Sequence, residues 1–91
     1  MNERLQATAG TLESNDIFIA ISEGESGRNT VSLESIVMKQ FGPAILAVIE
    51  ESLKEAGLLG VRVEARDKGA LDCTIRARVE CAASRYKELL P

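Results

Sequence analysis

The stretch GVRVEARDKGALDCTIRARVE (60–80) decides how this chain of 91 residues folds. On both sides of Asp67-Lys68-Gly69, apolar and polar residues alternate, which is the pattern of a strand with one buried face. Those three residues suit a hairpin loop, with glycine where a positive φ is needed. In the resulting register Ala65 faces Leu71, and every apolar residue of both strands lies on one side. The stretch therefore predicts a β-hairpin over 60–80.

A helix beginning near Asp67 is the alternative interpretation of the same residues. Leu71, Ile75 and Val79 are four residues apart, as on one face of a helix. Arg78 would interrupt that apolar stripe, and the two-residue alternation would be a coincidence. We therefore favour the strand.

Two further strands are expected earlier in the chain. DIFIAIS (16–22) is apolar on both faces, which indicates a strand with neighbours on both sides. The turn-rich EGESGR (23–28) leads from it to NTVSLE (29–34), whose alternation predicts a second strand. The two strands predict a hairpin near 16–34.

A long kinked helix is expected over 35–56. Ser35 can cap its first turn, and Gly57 can end it in a left-handed conformation. Gly42-Pro43 lies inside it, and proline cannot donate the helical hydrogen bond, so we expect a kink or a break there. The expected buried stripe comprises Val37, Phe41, Ile45, Val48 and Leu53.

The elements together predict an α+β fold in two layers. A short C-terminal helix is expected over 81–89, on the same face of the sheet as the long helix. The sheet is then mostly antiparallel and covered on one face by helices. At this length, residues 1–91 are expected to form a single domain.

Composition excludes several classes of function. The chain has no histidine or tryptophan and one tyrosine, so we expect no catalytic residue and no metal site. A net charge of −3 argues against a nucleic-acid partner. The longest apolar run, AILAVI (44–49), is too short to span a bilayer, and MNERLQATAG (1–10) lacks the apolar core of a signal peptide. We expect a cytoplasmic protein with no membrane partner.

Ser14, in AGTLESND (9–16), is the candidate functional residue. Asn15 and Asp16 favour a turn. If residues 8–13 form a strand, Ser14 lies at the tip of a hairpin leading into 16–22, with its hydroxyl exposed. A chain that lacks catalytic groups but presents one hydroxyl is typical of a carrier of a group attached there. Glu13 and Asp16 could attract a basic partner, or they could serve the turn alone.

Other polar residues admit a functional and a structural interpretation. Glu51-Ser52-Leu53 looks like the attachment sequence of ordinary phosphopantetheine carriers, but Ser52 is expected inside a helix, where its hydroxyl is poorly presented. Four arginines are expected on the polar face of the predicted 60–80 hairpin. They could dock a partner or bind phosphates, or they could form a solvated face balanced by nearby carboxylates. These are Arg62, Arg66, Arg76 and Arg78.

Three blocks resemble the acyl carrier subunit, the gamma chain, of bacterial citrate lyase. They are AGTLESND (9–16), VMKQFG (37–42) and DKGALDCTIRARVE (67–80), in the order and at nearly the spacing of that family. Carrier subunits of malonate decarboxylase are similar but more distant. The resemblance implies that Ser14 carries phosphoribosyl-dephospho-coenzyme A through a phosphodiester. Asn15 stands where the family more often has glycine or serine.

The resemblance also implies the partners. A prosthetic-group transferase would attach the group, and an acetate-ligating enzyme would load its thiol. The alpha (transferase) subunit would exchange acetyl for citrate, and the beta (lyase) subunit would cleave the citryl thioester to oxaloacetate. The carrier itself would catalyse nothing. Two alternatives are a carrier for malonate decarboxylase or a related acid-processing complex, and an unmodified small α+β interaction module.

Overall fold

Four strands and two helices make up the computed structural model, which describes residues 5–91. They are β1 (Gln6–Ala9), β2 (Ile17–Glu23), β3 (Thr30–Ser35), α1 (Met38–Glu55), β4 (Val61–Asp67) and α2 (Asp72–Leu89). Residues 1–4, which include part of the segment used in the signal-peptide argument, lie outside the described residues. The α+β class is confirmed.

The strands form one sheet in the order β1-β2-β4-β3. β2 has a neighbour on each side, as its two apolar faces predicted. Apolar side chains from one face of the sheet and from both helices form a single core, so the two-layer arrangement is also confirmed. The central strands contribute Ile17, Ile19, Ile21, Val61, Val63 and Ala65 to it.

The predicted hairpin near 16–34 is wrong, because β4 lies between β2 and β3. β4 buries alternate residues along its whole length and matches the apolar face of β2, whereas Val31 and Leu33 of β3 are only partly buried and suit an edge strand. β1–β2 and β2–β4 are antiparallel, as expected for most of the sheet. β3–β4 is parallel, because α1 returns the chain to the end of the sheet at which β3 begins.

The predicted hairpin over 60–80 is also wrong, and the helix alternative is correct for its second half. The first half is the expected strand, β4, but residues from Asp72 onward form α2, an 18-residue helix. The apolar stripe at helical spacing continues past residue 80, where the strand pattern stops. It consists of Ile75, Val79, Ala82, Ala83 and Tyr86, all buried.

Residues that the alternation placed in the core are therefore exposed. Cys73 and Ala77 face solvent, because the turn of the helix points them away from the sheet, and Leu71, the residue before α2, is exposed as well. The helix predicted over 81–89 is the second half of α2.

α1 runs without a break from Met38 to Glu55, with Pro43 inside it. The expected break is therefore wrong, and the kink stays a prediction. Proline removes one hydrogen bond close to the helix start, where the loss is confined to the second turn. Phe41, expected in the buried stripe, is exposed, whereas Ile45 and Leu53 are buried.

The two ends of α1 differ in how well the sequence located them. Ser35 does not cap the helix, because it belongs to β3, and Val37 is the N-cap residue. The predicted end is confirmed. The Gly57 amide donates to the Lys54 carbonyl and the Leu58 amide to the Leu53 carbonyl, both at 3.0 Å. This pair of bonds is a Schellman motif, with Gly57 at positive φ.

Candidate functional site

Ser14 lies in the connection between β1 and β2, which pair as an antiparallel hairpin. The connection comprises residues 10–16, and the Ser14 side chain is exposed. The structure therefore places this serine at a hairpin tip, as the sequence predicted. Within residues 5–91, the hydrogen bonds that hold the turn do not use the Ser14 hydroxyl.

The carboxylate of Asp16 organises the turn from inside. One oxygen accepts from the Thr11 amide at 3.1 Å and from Thr11 Oγ1 at 2.7 Å, and the other accepts from the Ile17 amide at 2.8 Å. Arg78, which reaches across from α2, binds both oxygens through Nε and Nη2 at 3.0 Å each. A two-pronged contact of this kind fixes orientation as well as distance. The turn is thereby attached to α2.

These contacts also fix the charge of Asp16. The hydrogen bonds from Arg78 and Thr11 hold the pKa of the Asp16 carboxyl far below its ordinary range, although burial acts in the opposite direction. The hydrogen bond to Asp16 and the charge of its carboxylate raise the pKa of Arg78. Asp16 therefore remains a carboxylate neutralised by Arg78. It is a poor proton acceptor for the Ser14 hydroxyl.

The backbone next to Ser14 is held from the other side by the loop after β4. The Asn15 amide donates to the Lys68 carbonyl at 2.8 Å, and the Lys68 amide donates to the Asp16 carbonyl at 2.9 Å. These bonds extend the β2–β4 ladder beyond its last pair, Ile17 and Asp67. Asn15 has φ +66°, a conformation that asparagine tolerates better than most residues. Ser14 is thus presented on a rigid turn.

The loop after β4 is itself anchored by a buried carboxylate. Asp67 accepts from Ser35 Oγ at 2.8 Å and from the Ala70 amide at 2.9 Å. The Ser35 hydroxyl in turn accepts from the Val37 amide at 3.1 Å. Asp67 therefore joins the end of β3 to the loop that supports the Ser14 turn.

The four arginines do not share a face, contrary to expectation. Arg62 and Arg66 are exposed on β4, whereas Arg76 and Arg78 lie on α2. Arg76 pairs with the exposed Glu51 at 2.7 Å, and Arg78 supports the Ser14 turn. The sequence does not predict this role of Arg78, because Arg78 lies 62 residues from Asp16 and no local pattern joins them.

The remaining candidates are settled by burial. Asp16 points inward, so of the two acidic neighbours of Ser14 only the exposed Glu13 can meet a partner. Ser52 is buried, and its hydroxyl donates to the Val48 carbonyl at 2.7 Å. Its hydroxyl is poorly presented, as expected.

We expect Asp16→Asn to lower the free energy of unfolding by about 2 kcal/mol, the usual contribution of hydrogen bonds to a charged group. The side-chain amide nitrogen introduced by the substitution would face the donors of Arg78 or Thr11, where an acceptor is needed. Glu51→Gln is the matched control, because Glu51 also pairs with an arginine of α2 but is exposed. Urea unfolding of both variants checks this, and equal losses would contradict it.

The Asp16 interaction also predicts a dependence of stability on pH. Because its pKa is lower in the folded than in the unfolded chain, Asp16 stabilises the fold above its unfolded pKa of about 3.9. That contribution is lost as the pH falls below this value. The difference in unfolding free energy between the wild type and Asp16→Asn should be constant from about pH 7 to 5 and shrink below about pH 4. A difference that grows on acidification would contradict the prediction.

Comparisons with known proteins place the chain in a family. The family described as "ACP: Malonate decarboxylase delta subunit (MdcD)" matches residues 4–86. A relative named "Citrate lyase acyl carrier protein" from Streptococcus mutans serotype c (strain ATCC 700610 / UA159) is 51% identical over 98% of this chain and 87% of its own length. The chain belongs to this acyl carrier protein family.

A more distant relative agrees with this assignment, and a solved structure shares the fold. A "Citrate lyase acyl carrier protein" from Clostridium perfringens (strain 13 / Type A) is 42% identical over 98% of this chain and 88% of its own length. One chain in the crystal structure of a Pseudomonas malonate decarboxylase hetero-tetramer in complex with malonate has the same fold, with a TM-score of 0.68 at 16% identity. That match covers 93% of this carrier and 99% of the other chain.

The resemblance found in the sequence is therefore confirmed. The molecule is an acyl carrier, and its family name describes a carrier subunit rather than an enzyme. No helix in residues 5–91 is both long and apolar enough to cross a membrane.

Proposed function

We propose that this carrier serves a citrate-lyase-type complex and bears phosphoribosyl-dephospho-coenzyme A on Ser14 through a phosphodiester. The observation that supports the proposal is the exposed Ser14 hydroxyl at the tip of a turn whose Asp16 carboxylate is turned inward and paired with Arg78. When attached, the group supplies a thiol that holds acetyl and citryl groups as thioesters for cleavage of citrate to acetate and oxaloacetate.

The residues around Ser14 are compatible with a phosphodiester. A second negative charge beside two unpaired carboxylates would be unfavourable. Arg78 neutralises Asp16 on the inner side of the turn, which leaves the solvent-exposed Glu13 as the remaining acidic neighbour. The Ser14 side of the turn is therefore open to solvent and free of an unpaired inner charge.

Attachment requires a donor whose phosphorus carries a leaving group, for which diphosphate is the suitable chemical class. The Ser14 oxygen forms the new bond to phosphorus, and the bond between phosphorus and diphosphate breaks. The serine proton passes to a base of the attaching enzyme, because the low pKa of Asp16 makes it unsuitable. The carrier contributes a hydroxyl held in one place by the turn.

The rigid turn and the attached arm have complementary tasks. The turn fixes where the arm begins, and the arm keeps a bound acyl group at high effective concentration near each catalytic subunit. The carrier then needs no catalytic side chain, because the attached group supplies the reactive thiol.

The proposed partners follow from this division of labour. They are the alpha (transferase) and beta (lyase) subunits, the prosthetic-group transferase and the acetate-ligating enzyme. We place the carrier in the cytoplasm, where citrate fermentation takes place and thiols stay reduced; Cys73 and Cys81 are both free. Residues 1–91 act as a single domain in this proposal.

The intact mass of the carrier isolated from cells that ferment citrate tests the proposal. We expect a gain that matches one phosphoribosyl-dephospho-coenzyme A, located by fragmentation on the peptide that contains Ser14. An unmodified mass would contradict the proposal and favour the interaction module.

A carrier for malonate decarboxylase is the second candidate, favoured by the family match and by the shared fold of the malonate decarboxylase subunit. Purifying the native complex and measuring which acid it consumes separates the two. Citrate consumption supports the first candidate, and malonate consumption the second.

A further inference from the structure

Three large apolar side chains are exposed at the end of the molecule that bears Ser14. Leu12 is 50% exposed, Ile36 65% and Leu71 71%. They come from three different segments: the Ser14 turn, the link between β3 and α1, and the residue before α2. We call this set the apolar rim. Clustered exposed apolar side chains in a small protein mark an interaction surface more often than single ones do.

The apolar rim is continuous with the Ser14 turn. A Cβ atom built on Gly69 would lie 3.6 Å from Ile36 Cδ1 and 3.7 Å from Asn15 Oδ1, so the Ile36 side chain and the residue after Ser14 both lie beside Gly69. Leu71 follows Gly69 by two residues, and Leu12 precedes Ser14 by two. Any protein that encloses the Ser14 hydroxyl must therefore approach the rim.

The position of the rim indicates which partner it serves. An enzyme that acts on the thiol can remain as far from Ser14 as the attached group extends. The enzyme that attaches the arm cannot, because the Ser14 oxygen itself must reach the reacting phosphorus. On the basis of the proposed function, we propose that the apolar rim is the docking surface for the enzyme that joins Ser14 to its phosphate-rich donor, and that it seats in an apolar collar around that enzyme's active-site entrance.

The charge next to Ser14 agrees with this occupant. An active site that binds a donor with several phosphates is lined by basic groups. Glu13 is exposed beside Ser14, and its backbone is held by Thr11 Oγ1 and the Asp16 amide, so the side chain starts from a fixed place at the tip. A negative charge there complements a basic entrance and speeds encounter. Because Asp16 is paired inside the turn, Glu13 is the acidic neighbour of Ser14 that faces outward.

Attachment kinetics with purified full-length carrier test the inference. The rate at which the intact mass increases is measured against carrier concentration, with the attaching enzyme and its activated donor. Leu71→Ser and Ile36→Ser should each raise KM for the carrier about tenfold, the effect of losing one well-buried aliphatic side chain from an interface, with kcat within about twofold. Leu59→Ser is the matched control, because Leu59 is 69% exposed but precedes β4 at its other end. Its KM should match that of the wild type.

A second set of measurements tests the role of the Glu13 charge. Glu13→Gln should lower kcat/KM at low salt, and the difference from the wild type should vanish at about 1 M salt, where charges are screened. Ile36→Ser, Leu59→Ser and Glu13→Gln should melt with the wild type, because the substituted side chains are exposed. Leu71→Ser should melt at or slightly above the wild type, because Leu71 is the N-cap residue of α2 and serine can cap a helix.

The outcomes distinguish a failure of the proposed function from a failure of the proposed docking surface. Wild-type carrier that gains no mass contradicts the proposed function itself. Wild-type carrier that is modified, with rim variants modified at the same KM, overturns the rim. Rim variants that gain the prosthetic group at the wild-type rate, but then fail to support citrate cleavage, also overturn the proposal. The protein that docks on the rim is then a catalytic subunit. An equal rise in KM for Leu59→Ser overturns it as well.

Discussion

Ser14→Ala carrier should gain no prosthetic group at all while keeping its fold and stability. The substitution removes the oxygen that forms the bond to phosphorus. The hydrogen bonds that hold the turn use Thr11, Asp16 and Arg78 and leave the Ser14 hydroxyl out, so the loss is chemical rather than structural. Intact mass after incubation with the attaching enzyme, together with a thermal melt, checks both parts.

Two matched variants sharpen that test. Ser26→Ala removes an exposed hydroxyl from another turn and should be modified at the wild-type rate. Ser52→Ala removes the hydroxyl bound to the Val48 carbonyl and should also be modified fully. If Ser14→Ala carrier still gained the full mass, the attachment site would lie elsewhere. If Ser52→Ala carrier lost the modification with its melt unchanged, the helical serine would be that site.

The fold could be predicted where local pattern and tertiary environment agree. β2 is strongly apolar and lies inside the sheet between two strands, and Gly57 ends α1 because the left-handed conformation needed there favours glycine. The second half of the 60–80 stretch could not be predicted from its alternation. Small residues such as Cys73 and Ala77 fit either a core or a surface, so they support a strand without excluding a helix. The buried stripe that ends at Tyr86 was the better signal, because it extends over the whole of α2.

The candidate site divides in the same way. The exposed turn at Ser14 could be predicted, because serine, asparagine and aspartate carry their turn preference locally. The support from Arg78 could not, since it depends on α2 packing beside the β1–β2 connection. The exposure of Phe41 likewise depends on how α1 is rotated against the sheet, which a stripe at helical spacing fixes only approximately.

Gly10→Ala should be the most damaging single substitution in the turn, with a loss of about 3 kcal/mol or more in unfolding free energy. Gly10 has φ +89°, and a Cβ there would lie 1.8 Å from the Ile17 carbonyl oxygen. The oxygen belongs to the backbone of β2 and cannot rotate away, so the β1–β2 connection must shift. Because a domain of this size has only about 5–14 kcal/mol of stability, urea unfolding should show the loss clearly.

The control for Gly10→Ala separates the stability lost through the collision with Ile17 from the stability lost by placing alanine at positive φ. Gly27 has nearly the same φ, +85°, but a Cβ there has no atom within 4 Å. Gly27→Ala should therefore lose only the cost of placing alanine at positive φ, about 1 kcal/mol. The excess loss in Gly10→Ala measures how closely β2 approaches the start of the Ser14 turn. Because a shift at Gly10 moves the turn that presents Ser14, the attachment rate should fall in Gly10→Ala and stay unchanged in Gly27→Ala. Equal losses in the two variants would mean that the turn can yield at Gly10, and that Ser14 is not held by a rigid backbone.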